Sequence, residues 1–259
     1  EEGKWMGYAN AAFFSGFGFG PFLGGVIAEH FGIPATFYTM GAFNLLALLV
    51  TVAYLPEVKR RKGTEDSPHP SFKEISRSGT VKGIFSLWLG QAIGRGAIFT
   101  FLPVFAAMMG LSISLIGILI TVNILSVTLL TPLGGIIADR FNRKPLAFVG
   151  LILFAVSLPA IPLTHSFWPL LAVLLIQGVT MAISQPAASA LGVEEGRKYG
   201  MGSTMSVLFL GFSIGMAVGP IIAGAIAQLL DVNAVFYIAA GLGAVGSILF
   251  VGFTKHSPS

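Results

Sequence analysis

Eight apolar runs, broken only by short polar segments, govern what this chain can fold into. They cover roughly residues 8–28, 35–55, 82–108, 112–138, 145–164, 167–191, 203–229 and 232–254. Each is near or above the ~20 residues that cross a bilayer as a helix. Unpaired backbone groups are too costly in hydrocarbon, so segments that span must be helices or closed barrels. A barrel would need alternating strands of about ten residues, and the sequence has none. Composition agrees: 10% of residues are charged and 54% hydrophobic, where a soluble domain carries about 25% charged residues. The expectation is an all-α membrane protein with eight transmembrane helices.

The cations test that count. Lys4 precedes the first run. Lys59, Arg60, Arg61, Lys62, Lys73, Arg77 and Lys82 lie between the second and third. Arg140, Arg143 and Lys144 lie between the fourth and fifth, Arg197 and Lys198 between the sixth and seventh, and Lys255 follows the eighth. The opposite turns, near His30, Gly110, His165 and Asp231, hold no Lys or Arg. Every loop therefore alternates correctly, and the positive-inside rule places the cationic loops and both chain ends in the cytoplasm. The net charge of +4 is a topology signal, and no nucleic-acid partner is expected. Cysteine is absent, which excludes disulfides and thiolate chemistry. The densest of these loops is Gly135-Ile136-Ile137-Ala138-Asp139-Arg140-Phe141-Asn142-Arg143-Lys144, a tight hairpin between two spans.

Residues 57–79 form the one long polar stretch and read as a linker whose basic start touches anionic headgroups. An internal repeat supports a division there. Sliding the first two runs forward by 199 residues sets Gly16, Gly20, Pro21 and Gly25 on Gly215, Gly219, Pro220 and Gly224. The same shift sets Ala35, Phe37 and Tyr38 on Ala234, Phe236 and Tyr237. The copies share an orientation, so the repeat is parallel. Two runs precede the linker and six follow it. Three parts are expected: 1–56, the last two helices of an N-terminal bundle; 57–79, a cytoplasmic linker; and 80–259, a six-helix C-terminal bundle. The chain does not begin with Met, and four further helices are expected upstream.

The decapeptide resembles the cytoplasmic loop motif of the major facilitator superfamily, Gly-x-Leu-Ala-Asp-Arg-x-Gly-Arg-Lys, with Asn142 where Gly is usual. Asn tolerates a left-handed turn better than most residues, so the departure reads as mild. The first run carries Gly7, Gly16, Gly20, Pro21, Gly24 and Gly25, similar to the fifth-helix signature of that family's drug:proton antiporter branch. The resemblance implies helices five to twelve of a twelve-helix secondary transporter. It also implies a gating role for Gly135, Asp139, Arg140, Arg143 and Lys144. In that role Asp139 would latch onto the positive end of a helix in the other bundle, here the turn near Lys4 to Gly7. Gly16, Gly20 and Gly24 recur every four residues, a spacing that lets helices approach closely. Pro21 interrupts the helix.

Arg95 is the one cation inside a run. Its insertion costs ~2.5–3.5 kcal/mol at the centre of a span, and no acid lies at mid-depth in any run to offset it. Gln91 and Phe99 are one turn to either side on the same face. The resemblance makes this run and the sixth, with Gln177 and Gln185, cavity-lining helices. Arg95, Gln91, Phe99, Gln177 and Gln185 are thus the candidate substrate-binding residues. Asn123 reads as an interhelical hydrogen bond.

The favoured activity is proton-coupled export of small amphipathic compounds across the cell membrane. The alternative is uptake of an anionic or polar metabolite with Arg95 as counter-charge. The coupling acid, absent from mid-membrane here, is expected in the upstream helices. Gly211-Phe212-Ser213-Ile214-Gly215 matches a nucleophile-elbow pattern, but it lies in an apolar run and no His sits in a span to act as base. An intramembrane enzyme is therefore a remote reading, as is a transport-dead scaffold. No cofactor or metal is expected.

Overall fold

A computed structural model describes residues 2–54, 75 and 78–254, with side chains from residue 16 onward. Eight long helices follow one another: α1 (Glu2–Phe31), α2 (Ile33–Tyr54), α3 (Gly79–Met108), α4 (Ile113–Arg140), α5 (Arg143–Ser157), α6 (Phe167–Tyr199), α7 (Met201–Leu229) and α8 (Val232–Thr254). Among the described residues there is no strand, and seven helices, α2 to α8, are long and apolar enough to cross a membrane. At 30 residues, α1 also has the length to do so. Most of the linker (57–74, 76 and 77), Lys255 and the side chain of Lys4 lie outside the described residues, as do the surroundings of Gly7.

Local chemistry sets the boundaries. Ser78, Ser112 and Asn142 cap α3, α4 and α5, each side-chain oxygen accepting an N–H of the first turn, from Val81, Leu115 and Lys144. Such acceptors satisfy amides that have no partner within the helix. Gly32, Gly110 and Gly200 take positive φ at 84°, 78° and 88° and close three of the turns, a conformation that side chains with a Cβ resist.

Three expectations need correction. Asn142 has φ −64° and ψ 120°. It is an extended N-cap, so Asn stands there for its capping oxygen and not for a left-handed turn. The fifth run forms only 15 residues of α-helix, followed by a 3-10 turn at Leu158–Ala160; Pro159 and Pro162 cannot continue the ladder. The sixth run does not end near residue 191. Its helix continues through Glu194, Glu195, Arg197 and Lys198 to Tyr199, and Gly200 alone joins it to α7. Those charges sit on a helix that outruns its apolar stretch.

The core lies among α3 to α8. Phe154, Phe236, Phe250, Leu87, Leu102 and Leu151 are each under 2% exposed. Glycines let the backbones touch: Gly90 of α3 meets Gly246 of α8, Gly150 of α5 meets Ser184 of α6, and Gly134 of α4 meets Ala182 of α6. Dispersion and close approach hold helices together where lipid removes the hydrophobic driving force. Asn123 Nδ2 donates to the Leu174 carbonyl at 2.9 Å, tying α4 to α6 as expected. By contrast α2 buries none of its residues. The second copy of the repeat, α7 and α8, encloses α3, whereas α1 leans on α4.

Candidate functional site

Arg95 sits at the middle of α3, on a face whose neighbours are set by helical spacing. Its guanidinium carbon lies 5.6 Å from the centroid of the Phe99 ring, one turn on. A cation over an aromatic face is favoured by the ring quadrupole, the more so out of water. The edge of Phe17, from α1, meets Phe99 with centroids 6.2 Å apart and planes at 75°. Among the described residues Arg95 makes no ion pair. The stack therefore crosses from α3 to α1, at the seam between the two helix groups that flank the linker.

Gln91, one turn before Arg95, is 3% exposed, and among the described residues its Nε2 has no hydrogen-bond partner. Gln177 on α6 is wholly buried, with both amide atoms unpartnered among the described residues. Buried polar atoms are nearly always bonded, and leaving one unmet costs about 1–3 kcal/mol. Gln185 is half-buried on α6. Two of the five candidates, Arg95 and Phe99, are in direct contact, and Gln91 lies one turn away on the same helix.

A second cluster lies at the end of the molecule that carries the cations. Arg143 bridges Asp139 on α4 (3.3 Å) and Glu194 on α6. Glu195, only 5% exposed, accepts from the Ser78 hydroxyl at 2.7 Å and from Lys198 Nζ at 3.0 Å. Asp139, Asn142, Arg143, Lys144, Lys198 and both glutamates line a polar cavity of about 500 Å³. Asp139 is thus turned towards Arg143, on the next helix of its own bundle. Gly135 has open space where a Cβ would stand, and Arg140 is exposed. The turn of α1 that Asp139 was expected to face lies outside the described side chains. Glu194 and Glu195 were missed as site residues because they read as loop charges. Their i, i+3 and i, i+4 spacing to Arg197 and Lys198 was the available sign that the helix went on.

The glycine motif is divided between two faces of α1. Among the described residues nothing lies within 4 Å of a Cβ built at Gly16 or Gly20, and at Gly24 only the Thr36 methyl does, at 3.6 Å. The close approach is made by Gly25 instead, whose Cβ would stand 2.9 Å from the Ile113 carbonyl oxygen of α4, and by Gly18 against Leu125. Pro21 has no N–H and crowds the turn before it. The next amide, of Phe22, donates across the seam to Thr121 Oγ1 at 3.0 Å. Above it, Glu29 Oε2 accepts the N–H of Ser114 at 2.8 Å. The elbow pattern at Gly211–Gly215 lies inside α7, without the strand and sharp turn that expose a nucleophile.

The model of the Major Facilitator Superfamily matches residues 1–115 and 87–259. An uncharacterized MFS-type transporter of Methanocaldococcus jannaschii is 26% identical over 93% of this chain and 65% of its own length. The multi-drug resistance efflux pump PmrA of Streptococcus pneumoniae is 27% identical over 65% of this chain and 44% of its own. The quinolone resistance protein NorA of Staphylococcus aureus is 28% identical over 61% and 41%. The chain thus spans 41–65% of the length of these relatives.

Proposed function

The chain belongs to the major facilitator superfamily, and from that premise we propose that it is the larger part of a twelve-helix secondary transporter that exports small amphipathic compounds in exchange for protons. Residues 1–56 end the first bundle and 80–259 form the second. The cation-bearing end faces the cytoplasm, where both ends of this chain lie, and the membrane is the cell's cytoplasmic membrane. Transport follows from two bundles rocking about a midplane site. The likeness to efflux pumps supports the outward direction.

The observation that carries the reading is the stack of Arg95, Phe99 and Phe17. A cation at mid-membrane costs several kcal/mol, and here it lies over Phe99, whose ring meets Phe17 from the other of the two groups of helices that have to move apart. A ligand between the bundles would meet rings for its apolar part and a guanidinium for an acceptor or anionic group. Gln91 and Gln177, with unmet amide atoms, are the further polar contacts. The lone cation is also what favours the second reading, uptake of an anionic or polar metabolite.

Four upstream helices complete the first bundle. The groove between α1 and α2, about 520 Å³ and lined by Gly16, Gly20, Gly24, Thr39 and Phe43, supports this. Its counterpart in the second copy, between α7 and α8, is filled by α3. The upstream helices are also where an acid for proton coupling belongs.

The test is solute flux by the full-length polypeptide in proteoliposomes under an imposed pH gradient. Export of a fluorescent, uncharged amphipathic compound that stops when the gradient collapses supports the first reading. Arg95→Gln then separates the two: loss confined to anionic solutes favours uptake. Flux of no solute in either direction returns the chain to the scaffold reading.

A further inference from the structure

The seam between α1 and α4 is closed at one end by a set of contacts that the loop motif does not include. Glu29, in the last turn of α1, accepts the backbone N–H of Ser114, the second residue of α4. The first amides of a helix have no partner within it and carry the positive end of its dipole. A carboxylate is the side chain best suited to hold them. Below this contact the backbones run close together. A Cβ at Gly117 would stand 2.5 Å from the Pro21 carbonyl oxygen, and the Phe22 amide is held by Thr121. All of these contacts lie in the half of the seam remote from the cations. At the cation end, Asp139 is engaged with Arg143.

We propose that Glu29 and the Ser114 amide form the clasp of the outer gate, the contact that must part for the bundles to open away from the cytoplasm. This rests on the transport reading for the word gate and on the charge-based orientation for the word outer. Three features make it a clasp and not a fixed weld. The carboxylate is exposed, so water replaces the amide when the contact parts. It joins the two helices that the rocking of the bundles has to separate. And it sits at the rim, so the shielded Phe22–Thr121 bond can open only after it. Bonding to Ser114 holds the Glu29 carboxyl below its ordinary range.

The absence of cysteine from these 259 residues allows a single reporter once any cysteine elsewhere in the full-length polypeptide is replaced by Ser. Leu125, which faces Gly18 across the seam, is replaced by Cys in the full-length polypeptide. Labelling by a membrane-impermeant maleimide is timed in right-side-out and inside-out vesicles. Glu29→Ala removes the acceptor. Ser114→Pro removes the donor at a first-turn position where proline is tolerated. Each is expected to speed labelling from the outside about two- to fivefold, the range set by a carboxylate at an exposed helix end. The double variant should label no faster than the faster single one. His30→Ala, whose ring bonds its own helix at the Val26 carbonyl, should leave the rate alone. Unchanged rates in both Glu29→Ala and Ser114→Pro, or additive effects in the double variant, overturn the clasp. Acceleration from the cytoplasmic side only overturns its assignment to the outer gate. Flux measured on the same vesicles separates the two readings: flux with unmoved labelling removes the clasp alone, and faster labelling without flux removes the transporter and leaves only a contact.

Discussion

The two copies of the repeat carry the same glycines and use opposite faces of them. In α7, Gly215 and Gly219 press on α3, with an added Cβ 2.7 Å from the carbonyl oxygens of Leu89 and Ile93. Their partners in α1, Gly16 and Gly20, meet nothing. Gly25 of α1 presses on α4, while its partner Gly224 in α7 meets nothing. Each copy shows half of one pattern: a face for a helix of its own bundle and a face for a helix of the other. A position that looks idle in one copy can be read from its mate. The same comparison gives Glu29 its mate, Gln228, so only one of the two helix ends carries a titratable group.

The largest test of this comparison is Gly215→Leu against Gly20→Leu in the 259-residue chain. Gly215→Leu would force side-chain atoms into the α3 backbone. A loss of 1–3 kcal/mol or more is expected, on the order of the cost of overpacking, read as a lower Tm in detergent. Gly20→Leu should leave Tm within about 0.5 kcal/mol of equivalent stability. In the full-length polypeptide the two should become equally harmful. Equal loss in the shorter chain would break the comparison.

Gly25→Leu against Gly224→Leu is the mirror of that pair. Gly25→Leu should separate α1 from α4, seen as faster labelling at Leu125→Cys with the α3–α8 core still melting normally. Gly224→Leu should do nothing in this chain. Thr121→Val is smaller in effect: it strips the Phe22 amide of its acceptor, for a cost of about 1 kcal/mol. The corresponding residue in α7 is Ile221, which is 71% exposed, where Phe22 is half-buried.

Acidification is the smallest effect. Bonding to Ser114 depresses the Glu29 carboxyl. Its contribution to the closed seam is therefore complete above the ordinary carboxylate value and is lost as pH falls through the lower, clasped value. His30 is the adjacent titratable group on α1, and α4 offers none in its first two turns. Quenching of a fluorophore at Leu125→Cys should rise only in that acid window, and Glu29→Gln should abolish the rise.

Much of the fold was legible because lipid imposes one rule throughout. Runs of about twenty apolar residues and alternating cations located all eight helices. What could not be read were features decided by single atoms. The charges from Glu194 to Lys198 read as loop, yet the helix runs through them because Glu195 finds Ser78 and Lys198. Asn142 looked like a turn residue, and its oxygen caps a helix. The glycine stripe on α1 announced close packing without saying on which face, since a stripe carries no information about which neighbour is present. Arg95 and Phe99 were legible as a pair from their spacing, but Phe17 was not, because nothing in the sequence shows that α1 reaches α3.

Pro21 offers a last consequence. A proline in a membrane helix is usually counted as damage, a rung removed from the ladder. Here the damage is what lets one rod hold another, because the amide next to the missing rung finds Thr121 on the neighbouring helix. Mending α1 with a residue that restores its own ladder would give a stiffer rod with a weaker hold on its neighbour. In this protein a local fault supplies a long-range fastening.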